Sequence, residues 1–122
     1  LSSSSAASDV YKRQVATVVV YNLTELVVEL NSEALDTLAY VLDKGIRAGY
    51  GSLVMSSPLI TKYIDVVSKT VRSYKQAVIG LRLSDQSVLT VTNRPVREPQ
   101  LEEQEHYYVA DGLASRMKVL MI

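Results

Sequence analysis

The sequence predicts an α+β protein, a two-layer sandwich of order β-α-β-α-β-β, with one mixed four-stranded sheet and two helices on one face. Three observations lead there. Two stretches, residues 33–46 and the run from Pro58 onward, space their apolar residues as amphipathic helices do. β-rich runs alternate with them, and the short connections between strand and helix impose parallel strands with right-handed crossovers. A long charged arm near the C-terminal end then separates two strands expected to be antiparallel.

Residues 24–30 (TELVVEL), rich in valine, read as the first strand, with residues 17–20 as a further extended piece before it. Asn31-Ser32 offers an N-cap, and Glu33 puts a negative charge in the first turn. Leu35, Leu38, Ala39, Leu42 and Ile46 then mark one apolar helix face, which Gly45, Gly49 and Gly51 can end. Residues 52–55 (SLVM) read as a short buried strand. Ser56-Ser57 caps a second helix with Pro58 at its first position, where a missing N–H costs nothing. Its seam is Ile60, Ile64, Val67, Val71, Tyr74 and Val78, and its other face carries Lys62, Lys69, Arg72 and Lys75. The seam has coiled-coil spacing, but most of it is needed to cover the sheet, so core packing is the preferred reading over a helix-mediated dimer. Residues 78–83 and 88–92 read as one long strand bent at Ser84-Asp85-Gln86-Ser87, with a tight hairpin as the alternative. Residues 93–104 (NRPVREPQLEEQ) form the arm, Asp111-Gly112 a turn, and residues 116–122 (RMKVLMI) the closing strand.

The chain has 122 residues, no cysteine, a net charge of zero and an apolar fraction of 48%. That composition suits a globular chain and excludes a disulfide framework and thiolate metal sites. No apolar run approaches the roughly 20 residues of a membrane span. A cytoplasmic or nuclear location is expected, without secretion. Charge is unevenly distributed: residues 58–97 hold seven basic side chains against two acidic ones, between acidic flanks.

Ser4 to Gln14 has a separate explanation. Reverse-translated, SSAASDVYKRQ resembles the transposase adapter used to build sequencing libraries, as in a reading frame taken from environmental DNA. Residues 1–14 are therefore expected to be a non-native, disordered tail, and residues 15–122 a single α+β domain.

The candidate nucleic-acid-binding residues are Lys62, Lys69, Arg72 and Lys75 on the second helix, with Arg94 and Arg97 at the base of the arm. Such cations displace counterions from phosphates and make affinity salt-dependent. Catalysis has little to build on. His106 is the sole histidine, and neither a Gly-x-x-x-x-Gly-Lys nor a Gly-x-Gly-x-x-Gly loop occurs. Neither an enzyme nor a cofactor or metal is expected. The rival reading is a protein-interaction or assembly protein of viral or microbial origin, whose sheet edge, acidic arm and tyrosines meet protein partners. A ribbon-helix-helix repressor fits less well, because the connection over residues 45–57 is too long for that motif.

Three local patterns carry a family resemblance. Ser57-Pro58-Leu59-Ile60-Thr61-Lys62 stands where a second helix opening Gly-Arg-Ala-Ile-Asn-Lys would start. Leu38-Ala39-Tyr40-Val41-Leu42 is similar to a Tyr-Ala-x-x-Leu-Leu first helix, and Glu98-Pro99 with Glu102-Glu103 to a Glu-Pro-x-Glu-Glu hairpin. With the element order, the chain resembles the Alba family, in particular the eukaryotic ribonuclease P-type Alba proteins. That resemblance implies a non-catalytic RNA- or DNA-binding domain acting as a homo- or heterodimer, with Lys62 at a matching position. The family's basic residues after the first strand are replaced by Asn31-Ser32-Glu33.

Overall fold

In the computed structural model, residues 16–119 are described. The adapter-like tail and the last residues of the expected closing strand lie outside them. The chain divides into two compact units, Leu1–Val71 and Arg72–Ile122. The α+β class holds.

The first unit begins with β1 (Ala16–Val20), whose valines suit a pleated surface. Residues 24–30 are not the expected first strand: α1 (Leu23–Glu29) is a helix. Leu23, Thr24 and Val27 are buried at spacings of three and four while Glu25, Val28 and Glu29 are exposed, and the Leu26 N–H donates to the Asn22 carbonyl at 3.0 Å. A face buried at helical period outweighs the strand preference of two valines. α2 (Ser32–Lys44) starts where expected, the Asn31 side chain accepting from the Ala34 N–H at 2.8 Å. It buries Ala39 and Leu42. The helix ends earlier than expected: a 3₁₀ turn over Gly45–Ala48 leaves Ile46 outside the core at 76% exposure, and Gly49, at φ 90°, closes it.

β2 (Tyr50–Val54) pairs in parallel with β1, from Ala16 opposite Tyr50 to Val20 opposite Val54. Ser57 then caps, as expected, by accepting from the Leu59 N–H at 3.2 Å. The segment beyond this cap is not one long helix. Pro58–Lys62 is a 3₁₀ turn, Tyr63 is extended, and α3 is only Val66–Arg72. Asp65 supplies the physical reason, because its carboxylate accepts from the Ser68 N–H at 2.9 Å and the Ser68 hydroxyl at 2.7 Å. A second cap of that quality starts a new helix. The expected seam is therefore split, with Ile60 and Val67 buried and Ile64 82% exposed. Val20, Leu23, Val27, Ala39, Leu42, Ile60 and Val67 are the buried apolar residues of this unit.

The second unit holds a three-stranded antiparallel sheet of order β3-β4-β5. β3 is Gln76–Ile79, β4 Glu105–Ala110 and β5 Leu113–Lys118. Asp111-Gly112 makes the expected turn, with positive φ at both residues (51° and 83°), the geometry that suits an Asp-Gly hairpin. The long bent strand over residues 78–92 is absent. The chain leaves the sheet after Ile79, makes a 3₁₀ turn at Leu83–Asp85, and crosses residues 88–92 without a ladder. Leu89 and Val91 are spent on packing against the core of Ile79, Leu83, Tyr107 and Val109. The partner of β3 is β4, around Tyr107 and Tyr108. Among the described residues the expected four-stranded mixed sheet is thus replaced by a two-stranded parallel and a three-stranded antiparallel sheet, with three α-helices rather than two.

Candidate nucleic-acid interface

The split of the second helix redistributes the basic stripe. Lys62 ends the 3₁₀ turn, Lys69 and Arg72 lie three apart on α3, and Lys75 immediately precedes β3. Lys62, Lys69, Lys75, Arg94 and Arg97 are exposed and join none of the ion pairs among the described residues. Arg72 is half-buried.

Two clefts of the second unit gather three of these cations. The larger, of about 600 Å³, is lined by Arg72, Tyr74 and Lys75, by Leu89, Thr90 and Thr92, and by Asp111 and Gly112. Its three walls are tied together by the main chain. The Asp111 N–H donates to the Lys75 carbonyl at 3.0 Å, and the Thr92 N–H and hydroxyl donate to the Gly112 carbonyl at 2.8 and 3.1 Å. The smaller, of about 420 Å³, is lined by Arg82, Ser84, Arg94, Pro95, Val96 and Glu98. Arg82 is already paired with Asp85 at 3.0 Å, which leaves Arg94 as its cation outside the described ion pairs, in a lining that also holds Glu98. Arg97 lines neither cleft.

Glu98 holds the arm to the sheet. Its carboxylate accepts from the N–H groups of Leu83 and Ser84, the latter at 3.0 Å, and from the Tyr107 hydroxyl. Burial pushes the Glu98 carboxyl up, but those hydrogen bonds outweigh it and hold the pKa below its ordinary value. Tyr107 moves the other way: burial first, then the Glu98 charge and hydrogen bond, raise its hydroxyl, against an opposing pull from Arg116. Arg116 lies over the Tyr107 ring, 5.9 Å from its centre, and pairs with Glu105 at 3.4 Å. Asn93 closes the outer edge of β5, donating to the Ala114 carbonyl at 3.0 Å and accepting from its N–H at 2.8 Å.

Sequence reasoning missed Tyr74, Asp111 and Glu98. Tyr74 reads as a seam residue, Asp111 as a turn former and Glu98 as part of an acidic run. The one available signal was the Asp-Gly turn, which places Asp111 at a hairpin tip. Among the described residues no group of three or more histidines and carboxylates could hold a metal, and no helix is long and apolar enough to cross a membrane.

No family model and no curated protein matches the chain. Among solved structures, its fold is similar to one described as the cytoplasmic domain of EssC. The resemblance has a TM-score of 0.73 at 19% identity, over 84% of this chain and 20% of that one. The same values hold for EssC (ATPases 2 and 3) from Geobacillus thermodenitrificans. The chain therefore spans about a fifth of the length of the EssC chains it matches.

Proposed function

We propose that this chain is a non-catalytic module of a larger ATPase-type protein, built to be completed by strands from outside it. The observation that carries the reading is the two-stranded parallel sheet. Parallel sheets are found with both faces covered and several strands, and an isolated pair is marginal in water. β1 and β2 pair only with each other among the described residues, and Val19 and Leu53 on them are 56% and 55% exposed. Tyr21, Val28, Tyr40 and Ile64 are further exposed apolar side chains of the same unit. The likeness to EssC, a fold-level analogy, supports this because it too is to one part of a longer chain. The module lends fold and contact surface; the sequence carries no phosphate-cradling loop. Dye binding and sedimentation test the reading. The chain alone should light up 1-anilinonaphthalene-8-sulfonate and self-associate. A monomer that leaves the dye dark and unfolds in one cooperative step overturns it.

A second reading keeps the nucleic-acid binding that the Alba resemblance implies, with the chain acting as a dimer. It is favoured by the five exposed cations outside any described ion pair. Affinity for RNA or DNA should then fall steeply with salt and drop when Lys62, Lys69 and Arg72 are changed together to Glu. No binding at low salt overturns it.

A further inference from the structure

We infer that the larger cleft of the second unit takes one nucleotide of single-stranded RNA and distinguishes it from DNA through Asp111. The inference rests on the nucleic-acid reading and sharpens it. Arg72 and Lys75 lie three residues apart where the chain passes from α3 to β3, and both line the cleft with Tyr74 between them. Two cations suit a phosphate, and an aromatic ring beside them suits a base, whose stacking is indifferent to sequence. A volume of about 600 Å³ is the size of a small-ligand site, with Leu89 as part of an apolar lining.

Asp111 decides the class of ligand. Asp111 serves the turn, and its carboxylate in the cleft lining repels a bare phosphate but can accept from a ligand that also offers a hydroxyl. A carboxylate that accepts from a sugar hydroxyl is a recurring device, and the 2′-hydroxyl is the group that separates RNA from DNA. The bond from the Asp111 N–H to the Lys75 carbonyl, at 3.0 Å, fixes the main chains of the two residues side by side at the cleft. A ribonucleotide can thus set its phosphate toward Arg72 and Lys75 and its sugar toward Asp111. A deoxyribonucleotide lacks that donor and leaves the exposed carboxylate to water, so the difference is the net worth of one hydrogen bond, up to about tenfold in affinity.

The experiment uses the full chain and two probes, a labelled riboadenylate and a deoxyriboadenylate oligomer of equal length, titrated at low salt. The variants are Asp111→Gly, which removes the acceptor while suiting the turn's positive φ, and Tyr74→Leu, which keeps apolar bulk. The wild type should prefer RNA by up to about tenfold. Asp111→Gly should abolish that preference with DNA affinity kept, and Tyr74→Leu should weaken both probes. Equal binding of the two probes by the wild type, or a preference that survives in Asp111→Gly, overturns the inference and leaves the nucleic-acid reading standing. Binding of neither probe overturns both.

Discussion

Removing the Glu98 carboxylate should loosen the second unit. In Glu98→Ala the N–H groups of Leu83 and Ser84 and the hydroxyl of Tyr107 lose their acceptor together. A hydrogen bond to a charged group contributes about 1.5–3 kcal/mol where water cannot replace it. The Leu83 bond is part-buried and counts nearly in full, whereas the Ser84 bond is exposed and its N–H can turn to water. The sum is a loss of about 2–3 kcal/mol, or roughly 10 °C in Tm for a chain of this size. Glu98→Gln, which keeps the shape and one acceptor oxygen, should lose about half as much. Urea unfolding of the three proteins at neutral pH, repeated in acid, is the assay. Because the folded carboxyl titrates below its ordinary value, its contribution is complete above about pH 4.3 and disappears as pH falls through the lower folded pKa. The wild-type and Glu98→Ala stabilities should therefore converge in acid. A gap under about 0.5 kcal/mol at neutral pH, or one that stays open in acid, refutes the reasoning.

Three further outcomes are expected. Tyr107, whose pKa is raised, stabilises the fold fully below its unfolded value near pH 10, and that stability is lost as pH rises through the folded value. Tyr107→Phe should flatten this alkaline limb in a pH-dependent melt. Asn93→Ala should cost about 1 kcal/mol and speed amide exchange at Ala114, since both groups it bonds lie at an exposed sheet edge. Asp65→Ala should cost about 1 kcal/mol by circular dichroism melting and shorten α3 at its start, because the cap holds both the N–H and the hydroxyl of Ser68.

What could be read from the chain was what neighbouring residues decide among themselves. The Asn31 cap, the Ala39 and Leu42 face, and the Asp111-Gly112 turn each depend on residues within a few positions. α1 was hidden because Val27 and Val28 favour a strand, while the burial period that overrides them becomes visible only once the core is assembled. The break at Asp65 was a rival cap inside an apparent helix, and its advantage lay in a bond to Ser68 rather than in spacing. β4 was obscured by a charged start, and its match to β3 pairs Ile79 with Tyr107, residues far apart in sequence. The candidate site divided in the same way. Charge alone picked out Arg72 and Lys75, but Asp111 joins them only through the pairing of Gln76 with Ala110.

The two borders of the three-stranded sheet differ in a way that bears on association. Along β5, Asn93 already occupies the Ala114 main-chain groups and Arg116 reaches the Gln100 carbonyl, so an incoming strand must first evict the arm. Among the described residues no hydrogen bond from the arm reaches the outer border of β3, and Val78 on it is 54% exposed. A sheet with one masked border can add a neighbour on one side only. Two copies meeting border to border through β3 would present masked borders on both outsides, and growth would stop at the pair. In that arrangement the arm, by covering the β5 border at Ala114, is what would stop further strand addition.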